Sequence, residues 1–281
     1  MLKQRVITAL VLLSILLPAV FSTDTRVFGA VALVLICAGA WEWARLNSYG
    51  SAASLATGTA CAVLCLGFWL GGFIDISAVY LWISAGFCWV MLSFWLLRYG
   101  AAAWNQVPQI VRLIAGSFAL ALAWLAVLQA RRVGINFLFS VLVLVWAADV
   151  FAYFAGRAWG GKMIQRKLAP AISPGKTWEG ALGGAFGVMF VAFGWLQFDS
   201  TYAPASASLY SELYKQGYLF MVVSLLFLTM MSVVGDLVES FFKRFAGVKD
   251  SSGLLPGHGG VLDRVDALLP VLPLAMMLVT V

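Results

Sequence analysis

Nine stretches of this chain stay apolar for about the thickness of a bilayer, and no other feature restricts its fold as much. They run approximately over residues 6–21, 27–46, 51–74, 76–97, 107–128, 135–155, 181–198, 218–238 and 261–281. A helix rising 1.5 Å per residue crosses a hydrocarbon core of about 30 Å in about 20 residues. Lipid supplies no hydrogen bonds, so each crossing segment must satisfy its backbone internally, which makes these stretches helices. Composition excludes the soluble alternative. Charged residues are 11% of the chain and hydrophobic ones 63%, where an ordinary soluble domain carries about a quarter charged. The expectation is an all-α integral membrane protein with about nine transmembrane helices.

The cationic residues orient it. With the N-terminus in the cytoplasm and alternating spans, the inner side receives Lys3, Arg5, Arg45, Arg98, Arg112, Arg157, Lys162, Arg166, Lys167, Lys176, Lys243, Arg244, Lys249 and Arg264. The outer side receives Arg26, Arg131, Arg132 and Lys215. Fourteen against four is a strong positive-inside bias, and it puts the C-terminus outside. Residues 1–134 then form five N-terminal spans and residues 135–281 a four-span region. The first stretch, short and preceded by Lys3 and Arg5, also suits a signal peptide; with no clear small-x-small cleavage site after it, it is read as a retained anchor. Cys37, Cys61, Cys65 and Cys88 lie inside apolar runs and read as small hydrophobes.

Acidic residues collect on the same inner side, which orientation does not require. Asp149 lies about two turns from the inner end of its span, at a depth where an ionisable group costs a few kcal/mol unless paired or hydrated. Asp149, Tyr153 and Gly156 share one helix face. The run Ser173-Pro174-Gly175-Lys176-Thr177-Trp178-Glu179-Gly180 contains Gly-Lys-Thr, but Pro170 stands where a P-loop needs its first glycine and no strand precedes it, so an ATPase reading fails. A lysine and hydroxyls at a helix N-terminus still suit phosphate. Gly180, Gly183, Gly184 and Gly187 give overlapping G-x-x-x-G spacings that suit close helix packing and a helix-packed homodimer.

The densest cluster follows: Asp236, Glu239, Ser240, Lys243, Arg244, Lys249, Asp250, His258, Gly259, Gly260, Asp263, Arg264 and Asp266. On a helix, Asp236, Glu239, Ser240 and Lys243 make one polar stripe. Asp263 and Asp266 open the last apolar stretch, and the glycines between let the backbone turn tightly. Carboxylates without Cys or a second His are hard ligands that favour Mg²⁺ or Mn²⁺. Cations interleaved with them suit phosphoryl or nucleotidyl transfer. The phosphate monoester of such a substrate is largely ionised near pH 7, so the single histidine, His258, is expected to position phosphate or shape the loop rather than to remove a proton. No nucleic-acid partner is expected.

From Ser240 to Asp266 the string S-x-x-K-R-x-x-x-x-K-D-x-x-G-x-L-P-G-H-G-G-V-x-D-R-x-D closely resembles the signature of phosphatidate cytidylyltransferases, the CDP-diacylglycerol synthases. The S-P-G-K-T-W-E-G and W-A-A-D…A-Y…G-R segments, and Glu42-Trp43, are similar to further blocks of that family. The resemblance covers about the last 135 residues in detail. It implies that CTP and phosphatidic acid, with Mg²⁺, give CDP-diacylglycerol and pyrophosphate in a bacterial-type cytoplasmic membrane, with the site facing the cytosol. It implies metal on Asp236 and Asp263, with Asp266 and Glu239 adjacent. Lys243, Arg244, Lys249 and Arg264 would then hold phosphates, with Asp149, Asp250 and His258 in the catalytic cluster. Ser173, Lys176, Thr177 and Glu179, with Ser240, Gly259 and Gly260, would complete the substrate pocket. The competing readings are a CTP-dependent polyprenol kinase and, from another class, a transporter. A transporter would spread ionisable groups through the midplane of both halves, whereas these collect at one face.

Overall fold

In the computed structural model, which describes residues 2–76 and 78–280, the apolar stretches become helices. Ser77 and Val281, inside the fourth and ninth stretches, lie outside the described residues. The elements are α1 (Leu2–Phe21), α2 (Thr25–Leu46), α3 (Ser51–Leu70), α4 (Val79–Gln106), α5 (Gln109–Val133), α6 (Ile135–Trp159), α7 (Trp178–Tyr202), α8 (Leu209–Lys215), α9 (Tyr218–Phe245), α10 (Leu262–Val265) and α11 (Leu268–Thr280). Eight of them, α1 to α7 and α9, are long and apolar enough to cross a membrane. The protein is an all-α, multi-pass membrane protein.

Local chemistry sets the ends. Asp24 caps α2 by accepting the Arg26 N–H at 2.9 Å. Thr177 caps α7 through the Gly180 N–H at 3.1 Å. Gly100 interrupts α4 with φ 67° and ψ −156°, close to where the fourth apolar stretch was expected to stop.

The ninth stretch departs from expectation. Instead of one span over 261–281, the chain makes the four residues of α10 and then the 13 of α11. The cause is depth. A Cβ on Gly235 would lie 2.7 Å from the Asp266 carbonyl oxygen, so the α10–α11 junction sits beside the middle of α9 rather than its end. The polar loop has already descended into the bundle before α11 starts, and α11 is correspondingly short. Pro270 to Met276 are all buried, so protein rather than lipid surrounds this helix. Irregular backbone at such depth requires partners from the protein itself.

Helices α6 and α7 pack most closely. A Cβ at Gly183 would meet Ala155 Cβ at 2.1 Å, one at Gly187 would meet the Phe151 ring at 2.1 Å, and one at Gly184 would meet the Ala148 carbonyl at 2.8 Å. The glycine stripe of α7 is therefore occupied within the chain. At the end of the bundle where α2, α6 and α9 finish, Trp43 donates to the Arg112 carbonyl at 3.0 Å and joins α2 to α5. The polar residues singled out from the sequence gather at this same end.

Candidate active site

Two buried glutamates, one from each half of the chain, hold the two polar loops in place. Glu42, at the end of α2, is fully buried. Its Oε1 accepts from Ser252 Oγ at 2.5 Å and Val261 N at 2.9 Å; its Oε2 accepts from Ser251 Oγ at 3.1 Å and Leu262 N at 2.8 Å. The glycine-rich loop and the start of α10 are thereby tied to the N-terminal helices. Glu179, in the first turn of α7, does the same for the loop after α6. Its Oε1 accepts the backbone N–H groups of Gly161, Met163 and Ile164 at 3.1, 3.0 and 2.9 Å. One oxygen of this carboxylate, which was expected in the substrate pocket, thus ties down the loop before α7.

Between these anchors lies a ladder of charges. Lys243, in the last turn of α9, reaches Glu239 at 2.5 Å and Asp263 at 2.6 Å. The other Asp263 oxygen accepts from Ser251 N at 2.9 Å and Gly260 N at 2.7 Å; Ser251 Oγ lies 2.9 Å from it and 3.1 Å from Glu42 Oε2, and its one proton serves one of the two carboxylates at a time. Gly259, at φ +83°, has no room for a side chain: a Cβ there would lie 2.7 Å from Asp263 Oδ2. At Gly260 a Cβ would fall 2.0 Å from Ser251 Oγ and 2.5 Å from Glu42 Oε1. The glycines are what allow this loop to close over two carboxylates.

Next to the ladder a polar pocket of about 450 Å³ opens between α6, α9 and the 175–177 turn, lined among others by Asp149, Tyr153, Arg157, Lys176, Thr177 and Asp236. Lys176 pairs with Asp236 at 2.7 Å and donates to the Val233 carbonyl at 3.2 Å. Ser240 donates to Asp236 at 3.2 Å. Asp236 and Asp149 are charged neighbours of Asp266. Residues more than sixty positions apart in sequence thus share one pocket. Ser173 closes a small bridge with Ala169 beside it.

The remaining expected residues lie around the rim. Arg244, Lys249 and Asp250 are exposed. Arg264 donates to the His258 carbonyl through Nε at 3.0 Å and Nη2 at 2.6 Å, so His258 enters the site through its backbone. Its ring Nδ1 is buried and has no hydrogen-bond partner among the described residues. Two contacts were not legible from sequence pattern: Arg5 Nε donates to the Gly257 carbonyl at 3.0 Å, and Thr8 Oγ1 to the Pro256 carbonyl at 2.8 Å. The first helix therefore touches the glycine loop. Tyr153 was expected only on the helix face of Asp149, and Arg157 only among the inner cations; both line the pocket.

As to a metal, no three acidic, His or Cys side chains among the described residues approach closely enough to enclose an ion. The donor chemistry nevertheless fits one. Asp236 and Asp263 are hard oxygen donors, and each holds a lysine ammonium at 2.7 and 2.6 Å, so both are already presented to a cation.

A helical membrane protein that brings carboxylates, lysines and a helix N-terminus together at one end of its bundle is built for phosphate chemistry on a membrane substrate. Over residues 3–281 the sequence matches the family described as the cytidylyltransferase family, and the chain belongs to it. Its relatives include the phosphatidate cytidylyltransferase of Pseudomonas aeruginosa, 37% identical over 97% of this chain and 95% of that protein. The protein of the same name from Haemophilus influenzae is 35% identical over 97% and 96%. That of Brucella abortus is 50% identical over 48% of this chain and 42% of its own length.

Proposed function

We propose that this protein is a phosphatidate cytidylyltransferase, converting CTP and phosphatidic acid to CDP-diacylglycerol and pyrophosphate. One observation carries the lipid half of that reading. An apolar groove of about 580 Å³ runs between α7 and α9, lined by Ile172, Trp178, Leu182, Leu226 and Met230 among others. Leu168, Ala181 and Val233 line both this groove and the polar pocket. Leu182 and Met230 are more than half exposed on the apolar belt of the bundle. A molecule with a phosphate head and acyl tails fits the pair of cavities, head against Lys176 and Arg157, tails along the groove.

In the reaction a phosphatidate oxygen attacks the α-phosphorus of CTP, a new P–O bond forms, and the bond to the leaving pyrophosphate breaks. The phosphate oxygens concentrate negative charge, so the protein's part is to hold them in line and balance that charge. Lys176 and Arg157 act at the pocket wall. Lys243, Arg264 and, from the rim, Arg244 and Lys249 meet the nucleotide phosphates, with Thr177 at the N-terminus of α7. Asp236 and Asp263 would hold Mg²⁺, with Asp266 and Glu239 adjacent; bound there, it would neutralise charge developing on the pyrophosphate. Glu42 and Glu179 position the loops.

The site faces the cytosol of a bacterial inner membrane. Support comes from the fourteen Lys and Arg residues on that side and from the location of CTP. A homodimer would need a surface other than the α7 glycine stripe, which α6 covers. The decisive experiment incubates purified protein with labelled CTP, Mg²⁺ and phosphatidic acid. Labelled CDP-lipid with release of pyrophosphate is expected; CDP without a labelled lipid would replace this reading with a lipid kinase.

A further inference from the structure

At the opposite end of the bundle from the catalytic pocket, three of the four cations assigned to that side converge. Arg26, Arg131 and Arg132 line one small pocket of about 270 Å³ together with Thr25, Asp75 and the apolar walls of Phe28, Trp69 and Leu128. It forms where the end of α1, the start of α2, the α3–α4 connection and the end of α5 meet. Arg131 donates through Nε and Nη2 to the carbonyls of Val20 and Ser22 at 2.7 and 2.9 Å. Arg132 pairs with Asp75. Among the described residues neither Arg26 nor Arg131 has an ion-pair partner, and the nearby Asp24 carboxylate caps the Arg26 backbone N–H. Three guanidinium groups thus face one carboxylate.

Neither topology nor packing asks for that excess. Cations on this side oppose the positive-inside bias. One arginine suffices to balance the C-terminal dipole of α5, and a neutral donor could serve the α1 carbonyls. Guanidinium groups are matched to phosphate oxygens. We propose that this pocket binds a phosphate group, supplied by the headgroup of an anionic phospholipid in the leaflet opposite the catalytic one. The lipid source follows from the flanks: Val27, Leu70, Ile76 and Val133, each next in sequence to a residue of the pocket wall, are exposed apolar side chains, along which a lipid glycerol and tails would lie. Occupancy draws the ends of α1, α2 and α5 together. That matters most for α1, of whose apolar window only 11% is buried.

The test compares wild-type protein with Arg26→Gln, an exposed position far from the catalytic pocket, in a neutral detergent. Thermal stability is followed against short-chain phosphatidylglycerol, short-chain phosphatidylcholine and inorganic phosphate. Because phosphatidylglycerol also meets the catalytic pocket, the reading is the difference between the two proteins. The expected result is stabilisation by phosphatidylglycerol whose half-effect concentration rises about tenfold in Arg26→Gln, with cytidylyl transfer unchanged at saturating substrates. A response identical in both proteins overturns the pocket. An Arg26-dependent response to phosphatidylcholine equal to that for phosphatidylglycerol overturns its preference for net negative lipid. Inorganic phosphate acting as strongly as phosphatidylglycerol overturns the lipid source and leaves free phosphate.

Discussion

Replacing Glu42 by Gln changes almost nothing in shape and removes one of two acceptor oxygens. Four donor groups surround the carboxylate, two at each oxygen; the Ser251 hydroxyl is shared with Asp263, and two of the four are the backbone N–H groups of Val261 and Leu262. The amide oxygen of Gln keeps one pair. The other pair, one serine hydroxyl and one backbone N–H, would face an NH₂ group. The hydroxyl can rotate and become an acceptor; the N–H cannot. One buried donor is left unsatisfied, at a cost of about 1–3 kcal/mol. At 1.4 kcal/mol per factor of ten, the ordered loop then falls at most about 5- to 150-fold in population. Since Asp263 hangs from the same loop through Ser251 and Gly260, kcat should fall by a comparable factor, with the protein still inserted and helical. Pyrophosphate release at saturating CTP and phosphatidic acid measures the rate. Hydrogen exchange over residues 251–262 measures the loop, and its rise separates positioning from a direct chemical role. Full activity together with unchanged exchange at Val261 and Leu262 would refute the argument.

Asp263→Asn should leave the protein folded and lower CTP-dependent activity by about two or more orders of magnitude; a normal rate in the pyrophosphate assay would remove Asp263 from the site. Gly260→Ala places a Cβ 2.0 Å from Ser251 Oγ and should cut activity about tenfold or more while circular dichroism keeps its helical signal. Gly187→Ala collides with Phe151 at 2.1 Å and should cost about 1–3 kcal/mol by separating α6 from α7, read as a lowered melting temperature with KM for CTP unchanged. Chelation of divalent ions should abolish turnover, and Mg²⁺ should restore it; chelator-resistant product formation would exclude the metal.

Hydropathy alone located the spans because lipid leaves the backbone so few options. The second stretch ended at residue 46 as expected, where Asn47 closes α2. The last stretch misled, since an apolar run reports only that residues avoid water. It cannot tell a lipid-facing span from α11, a short helix enclosed by protein. The polar cluster was legible by its density, and the ladder Glu239–Lys243–Asp263 follows partly from helical spacing. Glu42 stood out only through the family resemblance, because its partners Ser251 to Leu262 are separated from it by more than two hundred residues. Spacing rules reach one or two helical turns. Glu179 was visible as a residue, but its anchoring contact was not: one of its oxygens faces backbone N–H groups, which carry no side-chain pattern to read. The α7 glycines were read as a packing face, and the structure adds that the partner is α6.

The distance between Glu42 and its partners has a consequence for how the protein is made. Ser251 lies 209 positions after Glu42, so at roughly 5–20 residues per second the ribosome needs about 10–40 s to deliver it. Throughout that interval α2 has reached the bilayer with a carboxylate and none of its four donors. An unpaired charge cannot settle in hydrocarbon, so Glu42 must wait at the water-facing edge of the membrane, which is where its place at the end of α2 leaves it. The last helices therefore close a site whose keystone was laid first.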